Sequence, residues 1–148
     1  MDNISKVFSN FKIHSQYSIC EGAIKIDELA NYCKDNKIKS IGLCDSHNLC
    51  GALEFAEKIS KIGTQPIIGS QINFLTNGVT GKLPIFAATE VGYKNLIKLS
   101  SKSYLDSGEK NEICCDIADF QKLNQDLIVL SGNHFGLFGK LFKLNKTK

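Results

Sequence analysis

Arginine is absent from this chain of 148 residues, and all 18 of its cationic side chains are lysines. Proteins that read duplex DNA by sequence rely heavily on arginine, whose planar guanidinium forms paired hydrogen bonds with guanine. The formal net charge is +3 and the pI is near 8.5. This balance favours a lysine-rich, solvated surface with weak attraction to phosphate and no readout of bases.

The sequence also lacks tryptophan and any Cys-x-x-Cys pair, although it contains six cysteines. Cysteines at that spacing are typical of zinc sites and redox motifs, and the first residues show no signal peptide. Cys33 and Cys44 lie in apolar periodic segments, where a small buried thiol is the usual state. No apolar run reaches the roughly 18 residues of a membrane span. We therefore expect a reduced, cytoplasmic protein that does not contact a membrane.

Apolar runs and helical periodicities alternate along the chain. Ile26, Leu29, Ala30 and Cys33 recur at helical spacing, for example, after which Lys34 suits a helix end. Strands are expected near 10–14, 41–45, 66–68, 84–88 and 126–130, and helices over 25–36, 48–63, 91–105 and 116–123. The strands are almost continuously apolar, which is typical of parallel strands covered on both faces. The sequence therefore predicts one α/β domain with parallel strands and outer helices.

Three local features add detail to this prediction. The helix over 48–63 is expected to end at Gly63 and to bury one apolar face, formed by Leu49, Leu53, Ala56 and Ile59. Segment 75–82 is expected to be a turn-rich insertion with a hairpin tip around Asn77-Gly78. The basic tail 139–148 is expected to fray.

Polar side chains stand where the apolar runs stop. In parallel α/β folds, functional residues gather at the C-terminal ends of the strands. The candidates selected by this rule are His14, Asp45, Gln71, Asn133 and His134.

Five blocks in order carry a resemblance to a known family. They are 14-HSQYSICEGAIKIDEL-29, 43-LCDSHNLCGALEF-55, 66-PIIGSQ-71, 92-GYKNLIKLSS-101 and 127-LIVLSG-132. Together they resemble the amino-terminal PHP (polymerase and histidinol phosphatase) domain of the bacterial DNA polymerase III alpha subunit, over nearly the whole chain. The resemblance implies a distorted (βα)7 barrel, of which residues 1–148 would form an incomplete part. In metal-binding members, it also implies a cluster of divalent ions at the strand ends that activates water for phosphoester hydrolysis.

The residues that the resemblance places at the ligand positions depart from the metal-binding pattern. His14, Glu21 and Asp45 remain plausible ligands. The other positions are occupied by residues that ligate poorly, namely Lys12, Ser46, Gln71, Lys82 and Asn133. A lysine ammonium has no lone pair and repels a divalent ion, and a glutamine supplies no negative charge. We therefore expect a degenerate site with no bound cofactor, in which Lys12 forms an ion pair with Asp45 or Glu21. Zinc or manganese is expected only if the chain is a metal-dependent phosphoesterase or proofreading nuclease with an altered ligand set.

Three functions remain open at this level. The chain is expected to end before the last ligand motif and before any polymerase core, as a fragment, a truncated product or one piece of a split subunit. In the first hypothesis it is a non-catalytic scaffold in DNA replication, inactive as a nucleotidyltransferase when alone. Its partners would then be the remainder of the alpha subunit and other replicase subunits, with DNA met only indirectly. The alternatives are a metal-dependent phosphoesterase or proofreading nuclease with an altered ligand set, and a degenerate remnant without activity.

Overall fold

A computed structural model describes residues 8–105 and 112–145. The helices are α1 (Ile26–Asp35), α2 (Ala52–Lys61), α3 (Glu90–Leu105), α4 (Ile117–Leu123) and α5 (Leu137–Lys143). The strands are β1 (Ser40–Ser46), β2 (Gln65–Thr76), β3 (Val79–Ala87), β4 (Cys115–Asp116) and β5 (Leu127–Val129). The predicted α/β class is confirmed, and no helix within the described ranges is long and apolar enough to cross a membrane.

The sheet has the order β1-β2-β3-β5, and β4 pairs with β2. β1 and β4 each lie parallel to β2, while β3 is antiparallel to both β2 and β5. The prediction of a parallel strand near 84–88 is therefore wrong in direction. Asn77 and Gly78 both have positive φ, at 50° and 70°, which is the backbone of a two-residue hairpin turn. The hairpin tip expected at Asn77-Gly78 is confirmed, but residues 75–82 mostly continue the two strands and are not an insertion.

The segment predicted as a first strand, 10–14, is not assigned as one. It runs beside β1 and accepts two backbone hydrogen bonds, from Gly42 N to Asn10 O and from Cys44 N to Ile13 O, each 2.8 Å long. Ile13 is buried, whereas the neighbouring Lys12 and His14 side chains line a cavity. This alternation is typical of extended backbone, so the segment positions its side chains as a strand would.

Two predictions about helices need correction. On α2, the buried residues are Ala52, Phe55 and Ile59, which share one face at helical spacing, while Leu53 lies off that face and is 71% exposed. The tail does not simply fray, since α5 forms there and buries Leu137 and Leu141 in the core cluster around β2 and β3. Residues 146–148 lie outside the described residues. The four-residue spacing of Leu137 and Leu141 carries the helical signal that the basic composition obscured.

The described residues form two core clusters. One contains side chains of β2, β3, α3 and α5, among them Phe74, Ile85 and Leu96. The other joins β1 to α1 and α2, and it includes Phe55 and the predicted buried Cys33. These clusters hold β1, β2 and β3 in the positions from which the polar residues described below reach a common cavity.

Candidate functional site

A cavity of about 280 Å³ brings together most of the predicted site residues. Lys12 and His14 reach it from the extended segment beside β1, and Glu21 from the turn that follows. Gln71 and Lys82 enter from β2 and β3, and Asn133 from the loop after β5. Gln71 stands inside the long strand β2, so the expectation that it lies at a strand end is wrong. Lys82, which the resemblance placed at a ligand position, likewise stands inside β3.

Glu21 is held by a lysine, although not by the one expected. Lys82 Nζ lies 2.5 Å from Glu21 Oε1, and Ser46 Oγ donates to the other carboxylate oxygen. The Lys82 hydrogen bond, followed by that of Ser46, lowers the pKa of Glu21. Gln71 Nε2 donates to Ser46 Oγ at 3.2 Å and completes a polar chain from β2 to the turn. Lys82 thus takes the place that the sequence prediction gave to Lys12.

Asp45 lies next to this cavity but is 1% exposed and is bonded by neutral donors. It accepts hydrogen bonds from Ser15 N at 2.6 Å, from Ser15 Oγ at 2.7 Å and from Ser18 Oγ at 2.7 Å. Three donors of this kind satisfy a buried carboxylate without an ion pair. The predicted ion pair between Lys12 and Asp45 is therefore wrong, and among the described residues Lys12 does not pair with Glu21 either.

The same network fixes the ring of His14. His14 Nδ1 lies 3.3 Å from Ser18 Oγ, whose single proton is directed at Asp45. The hydroxyl can therefore only accept from the ring, which places the proton of neutral His14 on Nδ1 and leaves Nε2 as the acceptor. Burial, and then the charge of Lys12, lower the pKa of His14. The sequence did not predict this role of Ser15 and Ser18. The feature that could have indicated it is Asp45, because an acid at the end of a buried strand needs hydrogen-bond donors nearby.

The two remaining histidines do not join this cluster. His47 has a positive φ of 59° and a buried Nδ1 with no hydrogen-bond partner in the part of the chain that the structure describes. Burial, followed by the charge of Lys82, lowers the pKa of His47. His134, a predicted candidate, is exposed and lies against Phe135 with ring centroids 3.7 Å apart. It lines a neighbouring cavity and not the one that contains His14.

The residues of this cavity do not fit a cluster of divalent ions. Lys12 and Lys82 line it, and the Glu21 carboxylate is bonded to Lys82. The Asp45 carboxylate already accepts hydrogen bonds from Ser15 and Ser18. Across residues 8–105 and 112–145, no three His, Cys, Asp or Glu side chains are grouped so that they could hold a metal ion. The positive charges of Lys12 and Lys82 repel a divalent metal ion and therefore oppose its binding in this cavity.

Comparisons with known proteins identify the fold and the family. The family model described as "PHP domain" matches residues 10–148. The chain is 38% identical over 148 residues to DNA polymerase III subunit alpha of Caulobacter vibrioides, with 95% of this chain and 13% of that protein covered. It is 35% identical over 138 residues to the same subunit of Buchnera aphidicola from Acyrthosiphon pisum, with 90% and 12% covered. The chain therefore spans about an eighth of the length of these relatives.

A solved structure supports the fold independently of these sequences. A crystal structure of a putative metal-dependent phosphoesterase from Bifidobacterium adolescentis matches with a TM-score of 0.52 at 14% identity, and covers 69% of this chain and 35% of that one. At this identity the likeness concerns the fold alone. It agrees with a partial (βα) barrel, in which β3 departs from the parallel arrangement. Because the family model matches residues 10–148, the chain belongs to the PHP domain family.

Proposed function

We propose that this chain is the PHP part of a DNA polymerase III alpha subunit and acts there as a non-catalytic scaffold in DNA replication. The support is the identity of 38% to the Caulobacter subunit over nearly all of the chain. Its partners in this proposal are the remainder of the alpha subunit and other replicase subunits. The proposal includes a cytoplasmic location, and the scaffold role requires no contact between the chain and DNA.

The observation that carries the non-catalytic role is the contact between Lys82 Nζ and Glu21 Oε1 inside the cavity. A metal-assisted phosphoesterase needs a cation that binds water and lowers its pKa. An ammonium group has no vacant coordination position, so it neutralises Glu21 without generating a nucleophile. Lys82 therefore supplies the electrostatic part of a metal ion's role without its chemistry.

Metal analysis tests this role against the alternative of a phosphoesterase or proofreading nuclease. The chain is purified without chelators, and its zinc and manganese contents are measured by mass spectrometry beside hydrolysis of p-nitrophenyl phosphate and of a labelled oligonucleotide. We expect less than one equivalent of metal and equal background rates for the unmodified chain and His14→Ala. Stoichiometric metal together with hydrolysis that His14→Ala abolishes would establish the alternative.

A chimaera tests the scaffold against a remnant without activity. The matching region of the Caulobacter subunit is replaced by this chain, and primer extension is measured. We expect the chimaera to extend a primer, whereas the chain alone incorporates no nucleotide. A chimaera that folds but does not extend, beside an active Caulobacter control, would favour the remnant.

A further inference from the structure

Three cavities adjoin one another, because they share lining residues. The cavity that contains His14 shares Lys82 and Phe135 with a second, of about 450 Å³, which Thr80, Glu112 and Lys140 also line. It shares Gly132 and Asn133 with a third, of about 570 Å³, along α5. We call this surface the α5 groove, and it is defined by the residues Lys12, Lys82, Phe135, Phe138, Lys140, Phe142 and Lys143.

The α5 groove carries more positive than negative charge. Its lysines are Lys12, Lys82, Lys140 and Lys143, against two acids, Glu21 and Glu112. Glu21 and Lys82 neutralise each other, which leaves Lys12, Lys140 and Lys143 against Glu112. Lys140 donates to Thr80 O at 2.8 Å, a neutral carbonyl that does not cancel its charge, and Glu112 is the acid that lines the same cavity. The groove therefore offers cationic donors along its length, to which a polyanion is complementary.

Large aromatic rings are exposed along the same groove. Phe135, Phe138 and Phe142 are 70%, 52% and 77% exposed. α5 already buries its own apolar anchors, Leu137 and Leu141, so the exposed rings are not required to hold the helix in place. Exposed aromatic rings interleaved with cations are typical of surfaces on which unpaired bases stack.

We propose that the α5 groove binds single-stranded nucleic acid without sequence preference, with phosphates on the lysines and bases on the phenylalanine rings. Duplex is disfavoured because its bases are already stacked on each other and cannot cover these rings. An apolar protein segment is disfavoured because covering the rings would bury lysine charges without partners. The proposal goes beyond the scaffold role and does not depend on it, and it replaces indirect contact with DNA by direct contact.

The first measurement is the fluorescence anisotropy of a 5′-labelled oligothymidylate of twelve nucleotides, titrated with the chain at several salt concentrations. We expect binding that weakens with salt, and a slope of log affinity against log salt that falls by about 0.7 for each lysine removed. Lys143→Gln is the principal variant, since Lys140→Gln also removes the bond to Thr80 O. Lys98→Gln on α3 is the matched control and should keep the slope of the unmodified chain.

The second measurement separates base stacking from apolar packing. Phe138→Leu and Phe142→Leu keep an apolar side chain but remove the ring, and each should weaken binding of the oligonucleotide about 5-fold or more. Tyr32→Leu, an exposed aromatic of α1, is the control and should change nothing. Circular dichroism and melting establish that each variant is folded.

Two results would overturn the proposal. The first is an oligonucleotide affinity that is absent at low salt, or that is unchanged by Lys143→Gln and both leucine variants while they remain folded. The second is a duplex of equal length bound as tightly as the single strand. If sedimentation instead shows a dimer that Phe142→Glu dissociates and Phe142→Leu preserves, without oligonucleotide binding, the groove is a contact between copies of the chain.

Discussion

Asp45 and Glu21 are two neighbouring acids that the fold stabilises in opposite ways. Asp45 is 1% exposed and is held by Ser15 and Ser18, and no cation of the described residues is bonded to it. The side chain of Glu21 is 37% exposed and is bonded to Lys82. A buried carboxylate loses so much hydration that short, fixed donors must replace it, whereas an open carboxylate gains only a screened Coulomb attraction. Stability should therefore depend far more on the serine network than on the ion pair.

Asp45→Asn should produce the largest change in stability. The amide NH2 group would face the hydroxyl and backbone donors of Ser15 and Ser18, so at least one buried donor would lose its acceptor. We expect the free energy of unfolding to fall by about 2–3 kcal/mol, measured by urea denaturation. Asp35→Asn, at the exposed end of α1, should change it little. If Asp45→Asn and Asp35→Asn lowered the free energy of unfolding equally, the serine network would not be what stabilises Asp45.

Restoring metal ligands should raise the affinity for zinc by at least a factor of about ten, which corresponds to about 1.4 kcal/mol of binding free energy. The triple variant Lys12→His, Ser46→His and Gln71→Glu adds two imidazoles and one carboxylate near His14 and Glu21. Adding Lys82→Met should raise the affinity further, because Lys82 competes for Glu21. Calorimetric titration with zinc measures both steps. If Lys82→Met lowers zinc affinity, the lysine is not the group that excludes the ion.

Lys82→Met should have a smaller effect on stability, about 0.5–1 kcal/mol at pH 7, because the ion pair is partly exposed. The pKa of Glu21 is lowered in the folded chain, so this contribution is present above the ordinary value of 4.5 and is lost as the pH falls through the lower, folded value. Unfolding measured from pH 7 to pH 3 should therefore show a loss that Lys82→Met reduces. A pH dependence identical in both proteins would argue against the pair.

Lys12→Met should have the smallest effect, below about 0.5 kcal/mol in the free energy of unfolding. Lys12 lines the cavity, but the two nearby acids are bonded to other residues. Its removal should instead raise the pKa of His14, since the Lys12 charge contributes to lowering it. Nuclear magnetic resonance titration of the histidine ring measures this shift, with Lys34→Met as control. A destabilisation as large as that of Asp45→Asn would mean that Lys12 supports the buried acid.

The sequence was sufficient to predict the α/β class and the helices over 25–36 and 91–105, because apolar periodicity depends on local spacing. The resemblance grouped eight residues, of which Asp45 and Ser46 do not line the cavity and six do, namely Lys12, His14, Glu21, Gln71, Lys82 and Asn133. The sequence could not assign the cation of Glu21, because Lys12 and Lys82 are equal in charge and the choice between them depends on the three-dimensional path of the chain around the cavity. The network of Ser15 and Ser18 was likewise beyond a pattern of residue types, since it depends on the path of one turn.

The turn at Asn77 and Gly78 has a consequence for the order in which the cavity forms. It pairs Asn73 with Lys82, so the β2 and β3 walls approach through a short loop, which closes in microseconds in isolated hairpins. Glu21 and Lys82 are 61 residues apart, and closing that loop costs more chain entropy. We expect substitutions in the hairpin to slow folding and Glu21→Gln to accelerate unfolding instead, as stopped-flow kinetics would show. The polar centre of this domain would then be among the last contacts to form and the first to open.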